Sequence, residues 1–329
     1  MEQQRTIWTV IITVVVAVLV VVSVMAYQSN RNNVSPVIEP VPEVEAQDYA
    51  SKEAVTVDYK NLPSITSGAY ALWELKENDE FILLRQFRLD GKGFVTDLNG
   101  RPLNNTIVLA GNDFTKAKSY LVTVETGDAE PAQPSDTIIL NGNVAKGNTW
   151  SLSFPIDLTK ATGSYLLATP TNGPSTNETS GIWFLKIAGN SQAQASLNLP
   201  VAPAGWVYEG WITNSSLNLT SGRFTSPVEK DSFSNYSGPR AYPPFPGEDY
   251  LTNAPVDQNV TFPLNLADGQ TKVTIGLEPG TLTKDPTGDN RFGLTLLTAT
   301  IADGATDHTD YPLKVETERP SATLKVLTK

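Results

Sequence analysis

The chain has 329 residues, with 24 Lys and Arg against 35 Asp and Glu, a formal charge of −11, one His and no Cys. Nucleic acid and anionic lipid headgroups demand a basic surface, so this balance excludes them as the main partners. Without cysteine there are no disulfide staples, and zinc chemistry that needs several His or Cys ligands is ruled out by count.

The first element is an uncharged apolar run over residues 7–26, between Arg5 and Arg31. At 1.5 Å per helical residue, about 20 residues cross the ~30 Å hydrocarbon core of a bilayer. Trp8 and Tyr27 stand at the two ends, where amphipathic rings prefer the headgroup level. The run predicts a single transmembrane helix over 7–27 in contact with membrane lipid, a cytoplasmic tail over 1–6, and a large extracytoplasmic part. A cleaved signal peptide competes, because Val24-Met25-Ala26 offers small residues at a cleavage position, although the run exceeds the usual h-region. Retention and cleavage both stay open.

Residues 28–54 follow, where Pro36, Pro40 and Pro42 alternate with Val, Ile and Glu. Prolines at this density favour extended polyproline segments, so the stretch reads as a stalk. Beyond it come short runs rich in Val, Ile, Thr, Tyr and Trp, separated by Gly, Pro, Asn and Asp. They predict strands at 55–59, 69–75, 81–89, 106–110, 120–125, 137–140, 150–154, 165–169, 182–187, 195–199, 206–212, 260–264, 272–277 and 292–301. Only weak helical candidates such as 115–119 interrupt them. The expected fold is an all-β ectodomain of two tandem antiparallel β-sandwich domains, 55–145 and 146–329, the second with a long loop over 225–259.

The chain also repeats. The first copy runs Asn61-Leu62-Pro63, Gly68, Tyr70, Trp73, Arg85, Phe87 and Val122-Thr123-Val124-Glu125. The second runs Asn198-Leu199-Pro200, Gly205, Tyr208, Trp211, Arg223-Phe224, Val273-Thr274-Ile275 and Glu278. Common order and near-identical spacing predict one supersecondary plan used twice. Tyr and Trp fall on opposite faces of a strand unless a bulge intervenes. Tyr70, Trp73, Phe87, Tyr208, Trp211 and Phe224 are the expected repeat core.

These motifs, from LPSITSGAYALWEL through VTVETGDAEP and again from LNLPVAPAGWVYEGW through KVTIGLEPG, resemble the extracytoplasmic C-terminal domain of anti-sigma-K factors of the RskA type. The resemblance covers most of the chain past residue 55 in two divergent copies. It implies a β-sandwich sensor or interaction module on a membrane tether. Members of that family carry a cytoplasmic anti-sigma domain before the helix. Residues 1–6 are too few to bury the ~800 Å² per partner of a standard interface, so direct sigma-factor binding is not expected.

The long loop holds Phe233, Tyr236, Tyr242, Phe245, Glu248, Asp249 and Tyr250 among prolines. Disordered linkers are poorer in aromatics, so at least the PPFPGEDY part is expected to pack. The segment either covers an end of the sandwich or forms a partner-binding loop for an envelope protein or a glycan.

No catalytic constellation emerges. His308 reads as a solvated loop residue, no Gly-x-Ser-x-Gly elbow accompanies it, and no carboxylate pair stands out, so an enzyme is not expected. Acidic turns at Asp285–Asn290 and at Asp303, Asp307 and Asp310 do not follow the EF-hand pattern, and neither metal nor cofactor is assigned.

Three functions fit: an envelope sensor or interaction module, a pilin-like or surface-layer subunit assembling through its N-terminal helix, and a carbohydrate-binding surface module using Trp206 or Tyr residues. The first accounts for most of the sequence.

Overall fold

The structure is a computed structural model that describes residues 52–127, 129–142, 145–189, 192–282, 284–285 and 290–328. The expected helix over 7–27 and nearly all of the stalk lie outside the described residues. Among those described, no helix is long and apolar enough to cross a membrane.

The described chain is all-β, with no α-helix and three short 3-10 turns. The first strands are β1 (Ala54–Lys60), β2 (Ala69–Leu75), β3 (Phe81–Leu89), β4 (Val95–Thr96), β5 (Thr106–Val108), β6 (Ser119–Glu125) and β7 (Ile138–Gly142). Next come β8 (Ala145–Lys146), β9 (Thr149–Ser153), β10 (Ser164–Leu167), β11 (Gly181–Trp183), β12 (Leu185–Ile187) and β13 (Ala193–Ala195). The last are β14 (Trp206–Thr213), β15 (Asn218–Phe224), β16 (Gly247–Asp249), β17 (Lys272–Pro279), β18 (Leu294–Thr300), β19 (Tyr311–Pro312), β20 (Lys314–Val315) and β21 (Ser321–Val326).

A ten-stranded antiparallel sheet runs β4-β3-β2-β6-β7-β9-β21-β1-β5, with β8 paired to β9. A five-stranded sheet runs β15-β14-β17-β18-β20, and smaller sheets hold β16-β11-β10-β19 and β12-β13. The expected boundary at 145/146 falls inside the β8–β9 hairpin, where Ala145 and Lys146 pair with Trp150 and Thr149. The C-terminal strand β21 returns to the first sheet between β9 and β1. It alternates buried Ala322, Leu324 and Val326 with exposed Thr323 and Lys325, as a half-buried strand requires. One hydrophobic cluster joins Val55, Tyr70 and Trp150 to Tyr208, Leu296 and Leu324. Trp206 is buried between Phe154 and Phe292 at 5.5 Å from each ring, and its indole donates to Ile138 O at 3.1 Å.

Three sequence expectations are corrected. The strand expected at 195–199 shares only Ala195 with β13, and Asn198 instead makes an isolated bridge to Thr162. Residues 260–264 form no strand: Pro263 lacks a donor, and Leu264 N instead donates to Tyr250 O at 3.1 Å. The helical candidate over 115–119 is a single 3-10 turn, Phe114–Lys116, capped by the Asp113 carboxylate at Thr115 N, and Ser119 already begins β6.

The internal repeat is fully expressed in the strand pairing. Strands β3-β2-β6-β7 and β15-β14-β17-β18 stand in the same order. Tyr70 pairs with Phe87 and Val124, and Tyr208 with Phe224 and Leu277. The same bulges recur beside Trp73 and Trp211, and again at Val122/Thr123 and Ile275/Gly276. Tyr70 packs in the main core while Trp73 sits in a separate cluster on the opposite face.

Candidate functional site

The common register assigns each position of one repeat a counterpart in the other. On the first repeat, the face opposite the main core is apolar: Ala71, Trp73 and Leu121 pack with Phe81, Leu83 and Ile138. The matched positions on the second repeat are Glu209, Trp211, Thr274, Asn218, Thr220 and Thr295. Only the tryptophan keeps its chemistry. This face holds a cavity of about 500 Å³, lined chiefly by Glu209, Trp211, Asn218, Thr220, Arg223 and, from the long loop, Phe233 and Tyr236. That volume lies in the range of small-molecule sites.

A buried ion triad forms one wall. Arg223 Nε donates to Glu209 Oε2 at 2.9 Å, and one terminal nitrogen meets Asp285. The other donates to Thr281 O at 3.1 Å and Lys284 O at 3.2 Å. Thr220 Oγ1 donates to the second Glu209 oxygen at 2.5 Å. Burial raises the Glu209 pKa, opposed by the Arg223 charge. With both carboxylates ionised, the triad carries a charge of −1, and four of the five guanidinium N–H groups are engaged within it and with the two carbonyls.

The partners of the cavity-lining tryptophan differ from the first repeat at one residue. Trp73 Nε1 donates to Thr123 Oγ1 at 2.9 Å, Thr123 Oγ1 donates in turn to Glu125 Oε1, and Ser135 N donates to the same carboxylate at 3.0 Å. The second repeat keeps the tryptophan, the glutamate and the backbone donor, with Phe292 N on Glu278 Oε2 at 2.7 Å. Gly276 stands in place of Thr123. Trp211 Nε1 and Glu278 Oε1 are consequently buried without a hydrogen-bond partner among the described residues. An orphaned buried group of this kind costs ~1–3 kcal/mol. Burial and the Glu209 charge raise the Glu278 pKa well above the ordinary carboxylate value. A Cβ built on Gly276 would lie 3.2 Å from Leu294 O, a close contact, and 3.5 Å from Glu278 Oε1.

The long loop folds over this sheet and is fastened by acidic residues. Asp231 accepts from Phe233 N and Gly247 N, both at 2.8 Å, and from Tyr242 Oη at 3.2 Å. Gly222, at φ 110°, permits that approach, because a Cβ there would lie 2.2 Å from Asp231 Oδ1. Burial pushes the Asp231 pKa up to about 7 and that of Glu248 up to about 8. Asp249 accepts from Trp183 Nε1 at 2.7 Å and Thr171 N at 2.8 Å.

Of the seven loop residues expected to meet a partner, Phe233 and Tyr236 line the cavity. Phe245, Glu248, Asp249 and Tyr250 are buried and Tyr242 is half-buried against Trp183, so these five hold the loop to the body rather than present it. Tyr70, Trp73, Phe87, Tyr208, Trp211 and Phe224 are all buried, and Trp211 additionally borders the cavity. Trp206, the expected sugar-stacking residue, is 3 % exposed and packs between the sheets. Sequence reasoning missed Glu209, Arg223, Gly276 and Glu278 as a group. Part of the signal was present in the repeat, as Glu209, Thr220 and Asn218 in the second copy where the first has Ala71, Leu83 and Phe81. Among the described residues no group of three His, Asp or Glu has metal-binding geometry, and His308 is exposed.

No protein-family model, curated protein or solved structure matches the chain.

Proposed function

We propose that the chain is a non-enzymatic recognition module of the cell envelope, held at the membrane by residues 7–27 with its β-rich part outside the cytoplasm. Its ligand face, in this reading, is the cavity over the second repeat. The apolar run between Arg5 and Arg31 supports the tether. The likeness of both repeats to the outer domain of RskA-type regulators supports an envelope role, and the expected tandem organisation enters as two repeated sheets, one of which carries the site.

A single observation carries the assignment. Of six matched positions that close an apolar cluster on the first repeat, four, Glu209, Trp211, Asn218 and Thr220, line a polar cavity on the second. The same backbone is thus stabilised in one copy by apolar burial and a tryptophan whose indole is hydrogen-bonded, while the other carries a desolvated ion triad and an unpaired indole that cost stability. Local departures from a well-satisfied fold accompany functional sites. Binding of the full chain to envelope material from its own cells tests this. The Phe233→Ala/Tyr236→Ala variant is expected to bind at least tenfold more weakly with an unchanged melting temperature; undiminished binding overturns the assignment.

A further inference from the structure

We propose that the cavity takes a neutral saccharide, one hydroxyl of which seats above Gly276 between Trp211 Nε1 and Glu278 Oε1, where the first repeat places Thr123 Oγ1. The inference rests on the reading of this cavity as the ligand face.

Charge narrows the ligand class first. Arg223 directs four of its five N–H groups to Glu209, Asp285 and two carbonyls, so its charge is already met by two carboxylates and a phosphate or carboxylate gains little there. Both Glu209 oxygens are occupied, by Arg223 and Thr220, so the site offers a cation no open carboxylate there. Hydrogen-bond polarity narrows it further. The indole can only donate, so the seated atom must accept. Glu278 Oε1 demands a donor when ionised and an acceptor when protonated. A hydroxyl satisfies either state, whereas an ammonium cannot accept from Trp211 and a carboxylate meets only the protonated state of Glu278. The first repeat supplies the precedent, because a threonine hydroxyl links the same tryptophan and glutamate there. Trp211, Phe233 and Tyr236 border the cavity with ring surface for the apolar face of a sugar. Asn218 and Gln258, also on its wall, are tied to each other through Asn218 N to Gln258 Oε1 at 2.9 Å, which fixes the rim.

The test uses the full chain in a non-glycosidic detergent, titrated with glucose, galactose, mannose, N-acetylglucosamine and their 1,4-linked disaccharides. Affinity is read by calorimetry, and the six tryptophan indole signals are followed by nuclear magnetic resonance, with Trp211→Phe assigning that of Trp211. At least one sugar is expected to move the Trp211 indole signal saturably. Gly276→Ser, which carries its own hydroxyl to the position, is expected to bind that sugar at least tenfold more weakly. Trp211→Phe, which keeps a ring and loses the donor, is expected to lose a similar factor and covers the case of a poorly folding serine variant. A sugar that binds with the Trp211 signal unmoved, or equal affinity in both variants, overturns the inference. So does the absence of any saccharide binding while envelope binding still depends on Phe233 and Tyr236, an outcome that leaves the cavity as ligand face. Loss of that dependence overturns the reading beneath it.

Discussion

Tyr208 is held as Tyr70 is: the hydroxyl of each reaches back to the proline that precedes its strand, Pro200 O at 2.6 Å and Pro63 O at 2.7 Å, while its ring meets Phe224 or Phe87. Both side chains are buried, so each hydroxyl has exchanged water for a single carbonyl. Tyr70→Phe and Tyr208→Phe are each expected to cost ~1 kcal/mol. In urea denaturation the double variant should show nearly additive losses, because the two bonds share no partner.

The buried triad predicts a larger and asymmetric effect. Glu209→Ala leaves Arg223, only 9 % exposed, facing Asp285 alone, and breaking a buried pair costs ~3–5 kcal/mol. Replacing both partners, as Glu209→Met with Arg223→Leu, should cost clearly less than Glu209→Ala alone. Chemical denaturation of the three proteins measures the difference.

Asp231 and Glu248 predict how stability depends on pH. Burial raises both above their unfolded values, to about 7 and about 8, so the folded protein keeps protons that the unfolded chain releases near pH 4. Their contribution is complete below about pH 4, falls as pH rises through 7 to 8, and is then spent. The melting temperature should decline between pH 5 and 8. Asp231→Asn cannot ionise and should flatten that decline, although its single acceptor oxygen can keep only one of the two backbone bonds, to Phe233 N or to Gly247 N; an unchanged slope would remove Asp231 as its source.

The C-terminal strand predicts that the last segment is structural. Leu324 is fully buried, paired with Trp150 on one side and Val57 on the other. Leu324→Ala is expected to cost ~2–5 kcal/mol, the range for buried leucine truncations. Removing residues 321–329 should abolish the cooperative thermal transition followed by circular dichroism, because β1 and β9 lose a shared neighbour.

Much of this architecture was legible because the repeat is written in buried residues. Tyr, Trp and Phe at fixed intervals mark strand faces, and β2, β3, β14 and β17 lie where their β-branched and aromatic runs place them. The short strands β4, β16, β19 and β20 have two or three residues each, too few for a pattern of period two to declare itself. Strand β21 does alternate, at Ala322, Leu324 and Val326, yet its place between β9 and β1 depends on pairing across more than 250 residues, which local pattern does not encode. The loop aromatics drew notice as candidate contacts, but Asp249 turns inward to donors from Thr171 and Trp183, and Glu248 turns inward with one oxygen held by Ser237. The cavity was hidden for a different reason: it is a difference between two copies, visible only once their registers are matched.

Hydrogen–deuterium exchange of the full chain with and without its own envelope polysaccharide tests the central claim most directly. Protection is expected in β14, β15 and the 231–238 segment, with β2 and β3, the matched strands of the first repeat, unchanged. Equal protection of both repeats, or protection confined to β2 and β3, would contradict the assignment of the ligand face to the second copy.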